Sequence, residues 1–132
     1  MNATPRTRRI RRAAILVGGL TAAGIVALPA AAFADTSNSG IVTPGGSLCA
    51  TQHASYQVRV EGTAGNKGAK FKVYKDGVLI GSSPTDTTAG YAAEYRTSFG
   101  NFPGAGNYTV CGLNKQTTNT FVTVRVRSDA EI

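Results

Sequence analysis

The chain has 132 residues, with 14 Lys and Arg against 7 Asp and Glu, one His, two Cys and no Trp. Five Arg residues lie within the first 12 positions, so residues 35–132 carry nine basic and seven acidic side chains, a net charge of +2. Such a small excess argues against a nucleic-acid partner, which normally needs a large clustered basic patch. The roughly 98 residues that follow position 34 suffice for one small domain.

Residues 1–34 have the pattern of a secretory signal peptide. A cluster of Arg residues precedes an apolar run, Ala13 to Ala34, which ends in the small-x-small tripeptide Ala32-Phe33-Ala34. We expect cleavage before Asp35, a mature domain over 35–132, and a protein that is secreted or associated with the cell wall. The membrane is then contacted only through the signal peptide before cleavage.

Two alternatives remain at the N-terminus. The run of Ala13 to Ala34 is long enough to span a bilayer as an uncleaved anchor, although Pro29 close to the small-x-small site suits cleavage better. Thr7-Arg8-Arg9 is a weak twin-arginine pattern. Because Arg11 and Arg12 stand where such a signal turns apolar, the general secretory route is favoured.

The mature sequence consists of short segments in which polar and apolar residues alternate, and the turn-forming residues Gly, Pro, Asn and Asp separate these segments. This pattern predicts an all-β fold, a single antiparallel β-sandwich of about seven strands. The first strand is expected at 39–43, residues 50–55 as a polar loop, a last strand through Val122, Val124 and Val126, and a loose tail at 128–132.

The clearest local signal is a hairpin around Asp76-Gly77, which favours a two-residue type I′ turn because both residues accept positive φ. A turn at this position pairs Tyr74 with Leu79 and Val73 with Ile80. Val73, Ile80 and Phe71 are the expected core residues of the hairpin.

Two cysteines, Cys49 and Cys111, lie in the exported part, where thiols become oxidised. One disulfide between them is the simplest interpretation. Two free thiols or a redox pair are the alternatives, and the latter lacks a Cys-x-x-Cys motif.

The segment Gly106-Asn107-Tyr108-Thr109-Val110-Cys111 resembles an immunoglobulin-like domain, whose penultimate strand opens with a tyrosine corner and carries the second disulfide cysteine. The family places Tyr two residues before Cys, whereas Tyr108 precedes Cys111 by three, and there is no Trp to pack on the bridge. The disulfide is therefore expected to tie an early loop or edge strand to the sandwich. The layout is also similar to small exported β-sandwich proteins of high-GC Gram-positive bacteria, mostly without assigned function.

The sequence argues against catalysis. His53 is the one imidazole, it has no predicted partner, and Glu61 and Glu94 fall on solvent-facing strand positions with no visible carboxylate pair. Neither a zinc-spaced His/Cys set nor an Asp-rich calcium loop is present in the sequence, and Asp86 is best explained as a turn former. We expect no enzyme activity, no cofactor and no metal.

Two sets of residues are candidates for a binding surface. Lys70, Lys72 and Tyr74 share one side of a predicted strand, and Phe99 and Phe102 flank a loop rich in Gly and Pro. The alternatives are ordinary solvated strand surface for the first set and, for Phe102, a plug at the end of the core. Arg59, Arg125 and Arg127 also occupy solvent-facing positions and could enlarge a basic face.

The main hypothesis is a non-enzymatic secreted or envelope-associated protein that acts by surface binding or as a structural module, with an unknown protein or a cell-wall polymer as partner. A second hypothesis is a small inhibitor or effector of an external enzyme or competitor cell. A third is a carbohydrate-binding module, which usually needs a planar row of Trp or Tyr. The sequence does not indicate the ligand or the oligomeric state.

We predict that the exported protein begins at Asp35, because Ala32 and Ala34 fill both recognition positions of the cleavage site. N-terminal sequencing of protein from the culture medium tests this. Intact chain recovered only from membranes would instead establish an anchor.

Overall fold

Eight antiparallel strands form the domain. The computed structural model describes residues 34–132, so all but the last residue of the predicted signal peptide lies outside the described residues, and its cleavage stays a prediction. Within residues 34–132, no helix has the length and hydropathy needed to cross a bilayer. Two single 3₁₀ turns, Thr97–Phe99 and Asp129–Glu131, accompany the strands β1 Asp35–Val42, β2 Ser47–Ala54, β3 Gln57–Ala64, β4 Lys70–Lys75, β5 Val78–Ser82, β6 Gly90–Arg96, β7 Gly106–Leu113 and β8 Thr120–Ser128.

The strands form two four-stranded sheets, in the orders β1-β8-β3-β6 and β2-β7-β4-β5. Pairing is nested, because β1 pairs with β8, β2 with β7, β3 with β6 and β4 with β5. An antiparallel ribbon wrapped in this way is a jelly roll. The predicted all-β antiparallel sandwich is confirmed, with eight strands. The strand order within it differs from the immunoglobulin order, in which the first strand pairs with the second.

The core is built mainly from valines on the inner sides of both sheets. Period-two alternation places them there, since successive side chains of a strand point to opposite faces. Tyr108 and Phe71 are the largest fully buried side chains. The fully buried valines are Val58, Val60, Val73, Val110, Val122, Val124 and Val126.

Two glycines set how closely the sheets approach. A Cβ on Gly62 of β3 would overlap the ring of Phe71 in β4. A Cβ on Gly112 of β7 would lie 2.6 Å from Val122 in β8. Because each contact joins the two sheets, the absence of a side chain at these positions lets the rings and methyl groups of the facing sheet fill the space.

Tyr108 forms the tyrosine corner that the resemblance implies. Its hydroxyl donates a hydrogen bond of 2.6 Å to the carbonyl of Gly104, four residues upstream. Burial raises the pKa of Tyr108 to about 12, so this hydroxyl stays protonated and remains a donor. The ring lies on the inner side of β7, while Cys111, three residues on, lies on the outer side.

The predicted disulfide is confirmed. Cys49 and Cys111 are bonded, and they stand directly opposite each other in the ladder between β2 and β7. Because β2 is an edge strand, the bond ties an edge to its neighbour, as expected from the spacing of Tyr108 and Cys111.

The hairpin turn is confirmed, but its pairing is partly wrong. Asp76 and Gly77 both have positive φ, 49° and 84°, and Tyr74 pairs with Leu79. Val73 pairs with Gly81 rather than with Ile80, because a β-bulge shifts the pairing between Val73 and Tyr74. Ile80 packs at the margin of the core instead of opposite Val73.

Three further local predictions are wrong. The first strand begins at Asp35 rather than at Ser39, and residues 50–54 form most of β2, where the two buried residues are Ala50 and Ala54, which give little hydrophobic signal. The C-terminus is not a loose tail. The Asp129 carboxylate accepts the backbone N–H groups of Ser55 and Tyr56 at 3.0 and 2.9 Å.

We expect Gly62→Ala to lower the free energy of unfolding by about 1–3 kcal/mol, because the added methyl overpacks against Phe71. Gly90→Ala is the matched control: it is also a strand glycine, and its Cβ would meet nothing within 4 Å. Its effect should stay within about 0.5 kcal/mol. Urea unfolding compares the two, and equal midpoints would contradict the proposed packing.

Candidate binding faces of the sandwich

The two outer faces of the sandwich differ in charge. The outer face of the β1-β8-β3-β6 sheet, here the ion-pair face, carries three carboxylates and four arginines: Asp35, Glu61, Glu94, Arg59, Arg96, Arg125 and Arg127. The outer face of the β2-β7-β4-β5 sheet, here the lysine face, carries Lys70, Lys72, Tyr74, Leu79, Leu113, Thr51, Thr109, His53 and the disulfide. No carboxylate stands on the strands of the lysine face within residues 34–132.

The ion-pair face is a connected network with Glu61 at its centre. Arg127 donates to the Glu61 carboxylate at 2.7 Å from the neighbouring strand. Arg59 donates to the same carboxylate and, at 2.8 Å, to Glu94 on the other neighbouring strand. Alternation along each strand places these charges on the same face, so β8, β3 and edge strand β6 share one chain of hydrogen-bonded ions.

A second pair closes the edge of this network. Arg125 donates two hydrogen bonds to the Asp35 carboxylate, from Nε at 2.9 Å and from Nη2 at 2.6 Å. Bidentate pairs of this kind fix orientation as well as charge. Asp35 belongs to edge strand β1, so the pair also anchors the first strand to β8.

These contacts lower the pKa values of the three carboxyl groups. The hydrogen bond from Arg125 lowers the pKa of Asp35, and that from Arg59 lowers the pKa of Glu94. Burial raises the pKa of Glu61, but hydrogen bonds from Arg59 and Arg127 outweigh this effect and leave the pKa below its ordinary value of 4.5. All three groups are therefore charged and paired at neutral pH.

Two shallow depressions, of about 190 and 380 Å³, lie on the ion-pair face and share Glu61, Gly62 and Thr63. Thr123 lines the first depression and Ala92 lines the second. Their walls are the paired charges just described, so a charged ligand here would have to displace an existing partner.

On the lysine face, the structure places three of the predicted binding residues together. Lys70, Lys72 and Tyr74 follow one another on the outer side of β4, beside Leu113, Cys111 and Thr109 of β7. The ammonium group of Lys70 donates to the carbonyl of Ser83 at 2.6 Å.

Two further lysines, which the sequence analysis did not single out, lie in loops at the Lys70 end of this face. Lys67 is in the loop between β3 and β4, and Lys115 is in the loop between β7 and β8. The loops touch, because the Asn66 amide donates to Thr118 at 2.9 Å. Of residues 34–132, none forms a salt bridge with Lys67, Lys70, Lys72 or Lys115.

Phe99 and Phe102 have separate roles in the structure. Phe102 packs against the core and stacks on Tyr108 with ring centroids 5.8 Å apart, so it plugs the end of the sandwich. Phe99 is 60% exposed and lies under the guanidinium of Arg96, 5.2 Å from its ring centroid. The five predicted binding residues therefore do not form one surface.

The loop that carries Phe99 is braced. The Asn101 side chain accepts from the backbone N–H of Arg96 at 2.8 Å and donates to the carbonyl of Glu94 at 3.0 Å. Thr97 donates through its hydroxyl to the carbonyl of Tyr56 at 2.7 Å. Tyr56 and Phe99 thus form a fixed and exposed aromatic tip at one end of the sandwich.

The arginines predicted to enlarge the basic face lie on the opposite side of the sandwich. Arg59, Arg125 and Arg127 belong to the ion-pair face and are neutralised there. The cause is strand order: β4 falls in one sheet, while β3 and β8 fall in the other.

His53 lies exposed on edge strand β2, opposite Asn107. Of the residues from Ala34 to Ile132, no three His, Cys, Asp or Glu side chains come close enough to hold a metal ion. The strands place Phe121 on one outer face and Tyr74 on the other, so in the described part of the chain no row of aromatic rings forms on a face.

No protein-family model matches the sequence, and no curated protein matches it. Among solved structures, the chain is similar to the crystal structure of Aeromonas hydrophila PliG, a periplasmic lysozyme inhibitor of g-type lysozyme. The two share 15% sequence identity with a TM-score of 0.49, over 70% of this chain and 84% of that chain.

We expect the stability of the domain to fall as the pH drops below about 4.5, the ordinary pKa of a Glu carboxyl. Asp35, Glu61 and Glu94 have lowered pKa values in the folded state, so folding favours their charged forms. The stability they contribute is complete above their unfolded pKa values and is lost as the pH falls through the folded ones.

Urea unfolding between pH 3 and pH 7 measures this dependence. Glu61→Gln should flatten it and lower stability at pH 7, whereas Asp86→Asn, in an exposed loop outside the network, should change neither. A pH profile of Glu61→Gln identical to that of the native protein would refute the assignment.

Proposed function

We propose that this protein is an exported, non-enzymatic binding module whose lysine face holds an anionic polymer of the cell envelope. One observation carries the proposal. Four lysines, Lys67, Lys70, Lys72 and Lys115, cluster on and beside a face whose strands hold no carboxylate in the described chain, whereas every strand carboxylate lies paired on the other face.

The spacing on β4 suits a linear polyanion. Lys70 and Lys72 are two residues apart on one side of a strand, which places their Cα atoms about 6.6 Å apart. Lys67 and Lys115 continue the positive charge beyond the end of the strand. Polymer repeats that carry one negative charge each can therefore meet several ammonium groups while running along β4.

Tyr74 and Leu79 supply an apolar surface beside these charges. They pair across β4 and β5, and Leu79 is 52% exposed. A ring and a branched aliphatic group of this kind can pack against the carbon atoms of a sugar or polyol unit, while the lysines hold its charged group. The combination favours a polymer with both features over a simple inorganic anion.

Export is supported by the disulfide and by the predicted signal peptide. A bond between Cys49 and Cys111 forms and persists in an oxidising compartment. The β2 to β7 ladder that contains the bond holds these two strands in register, so little conformational entropy is lost when a partner binds.

A second candidate function is inhibition of, or action on, an external protein through the aromatic tip formed by Tyr56 and Phe99. The observation in its favour is that both side chains are exposed, 49% and 60%, on two adjacent loops. Thr97 joins these loops through its hydrogen bond to the Tyr56 carbonyl, and Asn101 braces the loop that carries Phe99. A rigid exposed aromatic is the usual anchor of a protein interface. Carbohydrate binding through an aromatic platform has no corresponding support.

We expect the double variant Lys70→Gln, Lys72→Gln to bind inorganic polyphosphate about 30-fold more weakly than the native mature protein does. The reason is that each lysine near an anionic surface contributes about 1 kcal/mol of binding free energy. Ser37→Glu with Thr63→Glu is the matched control, because it lowers the net charge equally on the opposite face. The control should bind within about twofold of the native protein.

Titration at low and physiological salt measures the affinities, with neutral dextran as the uncharged comparison. Equal loss in both double variants would mean that net charge alone acts. Unchanged binding in the lysine variant would overturn the proposal. A protein partner that is lost with Phe99→Ala but retained with the lysine variant would establish the second candidate.

A further inference from the structure

The disulfide lies on the solvent side of the lysine face rather than in the core. Cys49 belongs to edge strand β2 and is exposed, whereas Cys111 lies one strand further in and is only 9% exposed. An incoming nucleophile therefore reaches the Sγ of Cys49 more readily than the Sγ of Cys111.

The charges around the disulfide are positive. Lys72 stands directly opposite Cys111, and side chains in that relation have Cβ atoms about 4.5–5.5 Å apart. Lys70 lies two residues from Lys72 along β4, on the same face. With no carboxylate on these strands, the face attracts an anionic thiolate and favours a leaving thiolate at Cys111.

We propose that Cys49 is a site of reversible S-thiolation by small anionic thiols. A thiolate attacks Sγ of Cys49, a new S–S bond forms there, and the bond to Cys111 breaks with its electron pair left on Sγ of Cys111. In the reverse step the Cys111 thiolate attacks Sγ of Cys49 and expels the small thiolate. One S–S bond forms as another breaks, so the exchange involves no net oxidation or reduction. The incoming thiol is therefore the sole co-reactant.

The fold can carry this modification. Eight residue pairs join β2 to β7, from Ser47 with Leu113 to Ala54 with Gly106, and they hold the strands together when the bond is open. The inner side chains of the same strands, Ala50 and Val110, stay buried. An anionic adduct would place a negative charge on a face whose strands otherwise carry none.

The site of attack is tested on the folded mature protein with 2-mercaptoethanesulfonate, an anionic thiol, at neutral pH without denaturant. Free thiols are then blocked with iodoacetamide. We expect a mass gain of one thiol, carried by the tryptic peptide that ends at Arg59 and contains Cys49, and alkylation of the peptide that ends at Lys115 and contains Cys111.

The role of the charge is tested by comparing the rates for 2-mercaptoethanesulfonate and cysteamine, a cationic thiol. The ratio of the two rates should fall about sevenfold in Lys72→Gln, because one charge at about 7 Å in water contributes about 0.6 kcal/mol of Coulomb energy and the two thiols differ by two charges. Lys67→Gln, the matched control in a loop, should leave the ratio unchanged. Intrinsic thiol reactivity cancels, because only ratios are compared between variants.

Three results would each overturn the proposal: an adduct found mainly on Cys111, an adduct formed only in urea, or a rate ratio that Lys72→Gln does not change. These outcomes are independent of polymer binding. The protein can be thiolated at Cys49 and fail to bind polyphosphate, or it can bind polyphosphate and resist thiolation, and the two experiments tell these cases apart.

Discussion

The structure depends on the insertion of the last strand between two earlier ones. Strand β8 pairs with β1 on one side and with β3 on the other, so its sheet is complete only when this last strand is in place. Val122, Val124 and Val126 enter the core from this strand, while Arg125 and Arg127 reach carboxylates on the outer face. Pairing over such long sequence separations has a high entropic cost of loop closure, and folds built this way form slowly.

This arrangement also divides the charge of the molecule. The arginines of β3 and β8 meet the acids of β1, β3 and β6 across neighbouring strands, and they neutralise one another. The lysines of β4 lie in the other sheet and have no such partners on its strands. A net charge of +2 over residues 35–132 therefore understates the potential of the lysine face and overstates that of the ion-pair face.

Several polar side chains hold the ends of the sandwich. Buried Asn114 donates to the carbonyls of Val42 and Thr118 at 2.9 and 2.8 Å, which fixes the β7 to β8 loop against the end of β1. At the other end, Asp129 receives the backbone N–H groups of the turn between β2 and β3. Such contacts satisfy backbone groups that no strand partner reaches.

The sequence by itself determined the all-β class, the Asp76-Gly77 turn, the inner valines and the disulfide, because period-two alternation, turn chemistry and a single cysteine pair are local or combinatorially unique signals. It also placed Lys70, Lys72 and Tyr74 on one side of a strand, since side chains two residues apart always share a face. The sequence did not indicate the bulge after Val73, because a one-residue shift in pairing leaves almost no trace in the hydrophobic pattern. It did not indicate the strand formed by residues 50–54 either, because the inner residues of that strand are small.

Only the tertiary structure decided which strands are neighbours. The sequence could not separate the lysines of β4 from the arginines of β3 and β8, because alternation gives the inner or outer side of a strand but not the sheet to which it belongs. For the same reason it could not foresee the network centred on Glu61, or Lys72 beside Cys111, since each joins residues far apart in the chain. Those contacts arise from the nested pairing of strands, which is a property of the whole chain and of no segment within it.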